Sequence, residues 1–260
     1  MANTGLLHVT FTGPDEGTDL SALVGLQRDF GRSVEIGILV YPPKTGEPLY
    51  PRGSWIHKFL EVSRPDARLA LHLCGEAVDM FLGQDRQCMD LARHFATVQL
   101  NFFHGVKPVS ARDIMKAADI FAEEHERFLP DALDSGVVIV PDNAPNRPVI
   151  QELLEEQNRL VSSDPRRLLS PIACLFDSSG GKGIAAKHWP YAHDTVICGY
   201  AGGLTPSNVS EQNDYIRDSA KGHPYWLDMQ KGVRTFSGPE DRRGFFDVGK
   251  CREVMHELGF

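Results

Sequence analysis

The chain has 260 residues, 42% apolar and 24% charged, an ordinary balance for a globular protein and enough material for a large core. Its 27 basic and 35 acidic side chains give a net charge of −8, which argues against general nucleic-acid or anionic-membrane binding. No apolar run approaches the ~18 residues of a membrane span, and the N-terminal Met-Ala-Asn-Thr-Gly does not read as a signal peptide.

Taken in order, residues 6–12 form a first apolar, β-branched strand, followed by a Gly-Pro-Asp-Glu-Gly turn and a helix carrying Leu20, Leu23, Val24 and Leu26. Residues 34–41 are a stronger strand, running into a stiff Pro/Gly loop (42–48) where a barrel would place a substrate lid. Trp55, Phe59, Leu60 and Val62 mark a helix, and residues 68–74 a third strand closed by Gly75. Val78, Phe81 and Leu82, then Met89, Leu91 and Phe95 beyond a break at Gly83, are helical. Residues 97–103 are the fourth strand. The helix after it has Ser110 as cap, Asp113 at the third position and Ile114, Ala117, Ala118 and Phe121 on one face. Residues 136–140 are an unbroken apolar fifth strand. A helix with Val149, Leu153, Leu154 and Leu160 follows, then a sixth strand at 172–177 ending in Ser-Ser-Gly-Gly-Lys-Gly. The connection at 184–193 is short and aromatic, so its helix is expected to be stunted. The seventh strand starts at Val196 and breaks at Gly202-Gly203, and a helix is expected from Thr205 as cap with Pro206 at its first position. The eighth begins at Trp226 and reaches Gly232, and a last helix covers roughly 248–258.

Eight strands alternating with helices imply a parallel sheet. A single (β/α)8 TIM barrel domain spanning 1–260 is the simplest closure. An open doubly wound sheet would want its glycine-rich turn after the first strand, and here the glycines come late.

In a barrel, residues at the C-terminal strand ends face the ligand. That selects Thr10 or Thr12, Tyr41, His72 or Cys74, Asn101, Asp142, Asp177 and Asp228. Asp177 ends an apolar strand, where a carboxyl is either partnered or protonated and able to act as a general acid; the alternative is a cap or solvated turn. His8 and His72 are candidate bases or hydrogen-bonded core histidines. Lys182 lies in a glycine-rich loop and is either a phosphate contact or surface charge. Gly202, Gly203 and Gly232 expose backbone at the ends of consecutive strands. Each is an ordinary turn taken alone; together they suggest a phosphate site. The five cysteines (Cys74, Cys88, Cys174, Cys198 and Cys251) show no CxxC spacing and are expected to be reduced thiols of a cytoplasmic protein without a metal site.

Three segments, Phe176-Asp-Ser-Ser-Gly-Gly-Lys-Gly183, Ala201-Gly-Gly-Leu-Thr-Pro-Ser-Asn-Val209 and Leu227-Asp-Met-Gln-Lys-Gly-Val233, resemble the last three strand-end motifs of phosphoribosylanthranilate isomerase, in that family's order. Val98-Gln-Leu100, Val40-Tyr-Pro42, Asp247 and Lys250 add weaker likenesses. The resemblance implies a barrel of the ribulose-phosphate-binding type and an Amadori rearrangement of an N-linked ribosyl phosphate, as in tryptophan biosynthesis, with no metal or organic cofactor. It implies Asp177 as general acid, Gly202, Gly203 and Gly232 as phosphate-binding amides and Asp228 as the strand-eight aspartate. The partner expected is a small phosphorylated sugar or aminosugar, bound by a monomer or homodimer, with no nucleic acid or membrane involved.

The family's base, a cysteine in a Cys-Gly pair near the end of strand one, is missing. Thr10 is taken as the nearest inward residue, with His8 and Cys74 as further candidates. Asn101 stands where the family has histidine, and Arg52 is the nearest substitute for the family's arginine after the Tyr-Pro turn. The readings left open are an isomerase with altered substrate, a non-catalytic phosphosugar-binding descendant, and an aldolase, epimerase or lyase on a sugar phosphate, with Lys182 as imine former.

Overall fold

The computed structural model describes residues 5–102, 108–128, 136–163, 171–177, 188–238 and 240–260. Eight parallel strands close in chain order: β1 (Leu6–Thr12), β2 (Val34–Val40), β3 (Arg68–Cys74), β4 (Thr97–Asn101), β5 (Val137–Asp142), β6 (Ile172–Asp177), β7 (Ile197–Ala201) and β8 (Tyr225–Met229). β8 returns to β1 with Thr10 opposite Asp228, which closes the barrel and excludes the open sheet. Around it run α1 (Leu20–Phe30), α2 (Gly53–Val62), α3 (Glu76–Leu82), α4 (Arg86–Ala92), α5 (Ala111–Phe128), α6 (Arg147–Ser163), α7 (Val209–Ala220) and α8 (Val248–Glu257). The fold is the expected (β/α)8 barrel. No helix among the described residues is long and apolar enough to cross a membrane.

Local sequence explains the helix ends. Ser110 Oγ accepts the Asp113 N–H at 3.1 Å and donates to the Asp113 carboxylate at 2.7 Å, so Ser110 caps α5 with its hydroxyl held by Asp113. Asp247 caps α8 by accepting the Lys250 N–H at 3.3 Å. The start of α7 differs from expectation. It begins at Val209 because residues 205–208 first make a turn fastened by Asn208, whose side chain accepts the Thr205 N–H at 2.8 Å and donates to the Gly203 carbonyl at 3.0 Å. Asn208, not Thr205, is the cap. Between β3 and β4 the helix is split into α3 and α4, as the Gly83 break suggested. The described part of the β6–β7 connection, residues 188–196, contains no helix. After β8 the chain adds an unanticipated antiparallel hairpin, β9 (Arg234–Thr235) with β10 (Phe245–Phe246).

Side chains alternate between the two faces of each strand. The outward sides pack beneath the helices in one apolar cluster that includes Phe11, Ile36, Phe59, Phe81, Phe121 and Tyr200. The inward sides divide in two. Strands β5–β8 contribute Ile139, Ala173, Leu175 and Trp226, an apolar cluster of its own. Gly199 makes room for it: a Cβ there would lie 2.2 Å from the Trp226 indole. Strands β1–β4 contribute His8, Thr10, Glu35, Arg68 and Thr97, all buried. Glu35 is the centre of this polar half, accepting from Thr10 Oγ1 at 2.7 Å and Thr97 Oγ1 at 3.3 Å, with His8 Nε2 at 3.5 Å and Arg68 Nη2 at 3.6 Å. Burial by itself would raise the Glu35 pKa. The charges of His8 and Arg68 and the Thr10 hydroxyl overcome that and hold it far below the usual carboxylate range.

Candidate active site

A cavity of about 610 Å³ opens at the C-terminal ends of the strands. The expected residues Asn101, Asp177, Gly202, Gly203, Gly232 and Asp228 all line it, as do Thr12, His72 and Cys74 from the strand-end selection. Others lie elsewhere. Thr10 and His8 sit below the cavity, in contact with Glu35. The strand-one residue that reaches the cavity is Thr12, two residues beyond the expected Thr10. Asp142 does not line the cavity; it bonds His193 Nε2 at 2.9 Å. Tyr41 packs edge-on against Tyr50, which does line it. Arg52 is taken up by Glu16, at 3.4 Å, and is not in the cavity wall. Lys182, with the rest of the loop at 178–187, lies outside the described residues.

The two glycine turns meet. A Cβ on Gly232 would stand 1.8 Å from the carbonyl oxygen of Leu204, so the turn after β8 and the turn after β7 touch backbone to backbone. Gly202 and Gly203 have φ of 117° and 66°, the left-handed side of conformational space where glycine alone is unstrained. The result is a corner of the cavity walled by main chain. Lys231, next to Gly232, is the one lysine or arginine among the described residues that line the cavity.

The cavity walls also carry ionisable and amide groups. Asp228 is 7% exposed, and Thr12 Oγ1 donates to its Oδ1 at 3.1 Å. Burial raises its pKa most. The Thr12 hydrogen bond opposes this, while the charges of Glu35 beneath it and Asp177 beside it add to the rise, leaving it near neutrality at about 7. Burial pushes the His72 imidazole down to about 4, so it is neutral at physiological pH. Its Nε2 is buried with no hydrogen-bond partner among the described residues. Gly37 allows Thr12 and His72 to converge, because a Cβ there would be 2.5 Å from Thr12 Oγ1 and 2.9 Å from His72 Nε2. Burial pushes the Cys74 thiol up to about 11, although Asn101 Nδ2 donates to its sulfur at 3.6 Å. Cys74 reaches the cavity, and burial keeps its thiol protonated at neutral pH. Gln99, which the sequence reading did not single out, lines the cavity and donates to Asn101 Oδ1 at 2.8 Å. It lies two residues from Asn101, so period-two alternation would have found it.

The mouth beside β1 and β2 is fastened. Asp15 accepts the Leu49 N–H at 2.8 Å and pairs with buried Arg234 at 3.2 Å, and Arg243 donates to the Pro48 carbonyl at 3.2 Å. The Pro/Gly loop is thereby tied to the terminal hairpin, with Leu49 and Tyr50 in the cavity wall. No group of three or more His, Cys, Asp or Glu side chains among the described residues is placed to hold a metal ion.

No family model matches the sequence, and no curated protein matches it either. Solved structures do match. TrpF from Jonesia denitrificans is 16% identical with a TM-score of 0.55, the alignment covering 97% of this chain and 96% of that one. A phosphoribosyl anthranilate isomerase in complex with reduced 1-(o-carboxyphenylamino)-1-deoxyribulose 5-phosphate is 16% identical with a TM-score of 0.57, covering 97% and 98%. A phospho-2-dehydro-3-deoxyheptonate aldolase from Thermotoga maritima is 12% identical with a TM-score of 0.55, covering 98% of this chain and 68% of the other. At such identities the likeness is one of fold: the chain shares the (β/α)8 barrel of these structures across nearly its whole length.

Proposed function

We propose that this barrel binds a phosphorylated sugar and isomerises it by an Amadori-type aldose–ketose rearrangement, on a substrate whose aglycone differs from anthranilate. The observation that carries this reading is the convergence on one cavity of Asp177 and the main-chain corner made by Gly202, Gly203 and Gly232. A phosphate seated against those amides is stabilised by oriented N–H groups and does not need a basic protein surface. Asp177, on β6, would then stand beside the sugar and protonate its ring oxygen as the ring opens. The phosphorylated ligand of the isomerase complex with the same fold supports a ligand of this class.

Ribose 5-phosphate is expected to bind with a measurable calorimetric signal and to raise the melting temperature. Asp177→Asn should leave that binding intact and lower turnover about a hundredfold, the ordinary worth of one positioned general acid. Turnover of phosphoribosylanthranilate, followed by loss of its fluorescence, is the direct assay, and low activity is expected. A wild-type protein that binds no pentose phosphate would overturn the reading.

A second reading, a phosphosugar-binding protein without catalysis, is favoured by one observation: Thr12 stands at the strand-one end and cannot act as a base unaided. It predicts ligand binding with no proton exchange at the sugar.

A further inference from the structure

Resting on the isomerase reading, we propose that Asp228 is the catalytic base of this site, oriented by Thr12. The geometry has three parts. Asp228 faces the cavity, and its Oδ1 is held by Thr12, while Oδ2 has no hydrogen-bond partner among the described residues. Asp177 and Asp228 flank Ala201 in one row, Asp177 paired with Ala201 and Ala201 with Asp228. Two strand spacings put their Cα atoms on the order of 10 Å apart, and both side chains line the same cavity. The strand-one residue that touches the cavity contributes a hydroxyl to Asp228 instead of a basic group of its own.

The proton steps close on these two residues. In the reactive state the two carboxyl groups share one proton, which lies on Asp177 with Asp228 ionised; Asp177 gives it to the ring oxygen as the C1–O bond breaks and the nitrogen lone pair forms the C1=N iminium. The Asp228 carboxylate takes the C2 proton; the C–H pair becomes the C1=C2 bond and the C1=N pair returns to nitrogen, giving an enolamine. Asp228 then returns a proton to C1 while the C2 hydroxyl gives its proton to Asp177. The ketose leaves and both carboxyl groups are reset.

His72 is the competing base, with Nε2 buried and unpartnered among the described residues. The two differ in titration. The groups that act on Asp228 are Thr12 from β1, Glu35 from β2 and Asp177 from β6, and His72 from β3 and Lys231 on the following turn line the same cavity. A base at Asp228 gives an activity limb rising near pH 7, and a base at His72 one rising near pH 4.

The test is deuterium uptake from heavy water, at C1 of the ketose product and at C2 of recovered ribose 5-phosphate and phosphoribosylanthranilate, read by proton NMR across pH. Asp228→Asn should lower exchange at least a hundredfold while ribose 5-phosphate still binds. Asp228→Glu should recover part of it, and His72→Gln should keep the limb near pH 7. Exchange that survives in folded Asp228→Asn, or a limb near pH 4 that His72→Gln removes, overturns the assignment while leaving the isomerase reading in place. No exchange in the wild type with either probe overturns both, and binding of ribose 5-phosphate then separates a phosphosugar-binding protein from one with no such ligand.

Discussion

Gly232→Ala is expected to abolish detectable ribose 5-phosphate binding and to destabilise the protein by about 3 kcal/mol, toward the upper end for overpacking of a tight site. The added methyl would stand 1.8 Å from the Leu204 carbonyl oxygen and 2.9 Å from its carbon. Both are backbone atoms, so no rotamer change relieves the clash, and the two turns must separate by roughly 1 Å or more to restore contact distances. That movement pulls apart the main-chain corner at which the phosphate is proposed to sit. Gly238→Ala is the control, because a Cβ there meets open space, and it should change neither melting temperature nor binding. Calorimetry with ribose 5-phosphate, alongside thermal unfolding of both variants, is the measurement. Wild-type affinity in Gly232→Ala would show that the two turns do not act as one ligand corner.

The barrel was legible because its signal is repeated: apolar strand runs punctuated by glycine, proline and capping residues, each alternating with a helical pattern. Boundaries slipped where a side chain reached outside its own segment. Asn208, bonding back to Thr205 and Gly203, moved the start of α7 by one turn. The position of Asp177 and of the three glycines on the cavity was readable from their places at strand ends. The strand-one residue was not, since a residue count there distinguishes Thr10 from Thr12 only when the register with β8 is known. Pairing Thr10 with Asp228 places the next inward residue, Thr12, one step nearer the mouth, where its hydroxyl meets the same carboxylate. Nor could the sequence announce which buried charges act on each other. Glu35 reads as one acidic residue inside an apolar strand. Its partners come from β1, β3 and β4, and its influence on Asp228 depends on the closed barrel.

Glu35→Gln is therefore expected to act twice. First, it should cost about 3–5 kcal/mol of stability at pH 7, the range for removing one member of a buried ion cluster. Glu35 is fully buried, and its carboxylate stands against Arg68 and His8, whose positive charge it offsets. Because its folded pKa lies below the unfolded value of about 4.5, this stabilisation is present above that pH and is lost as pH falls toward the folded value. The gap between wild type and variant should narrow from pH 5 to about pH 2 in urea unfolding. A gap independent of pH would mean that lost packing, and not charge, sets the cost. Second, Glu35 is one of the two negative charges that raise the Asp228 pKa. Removing it should move the limb of C2 exchange to lower pH, provided the folded fraction is held constant by measuring well below the melting temperature. A merely structural role for Glu35 predicts lower stability with an unmoved limb, so the pair of measurements separates a residue that supports the barrel floor from one that also tunes the carboxylate above it.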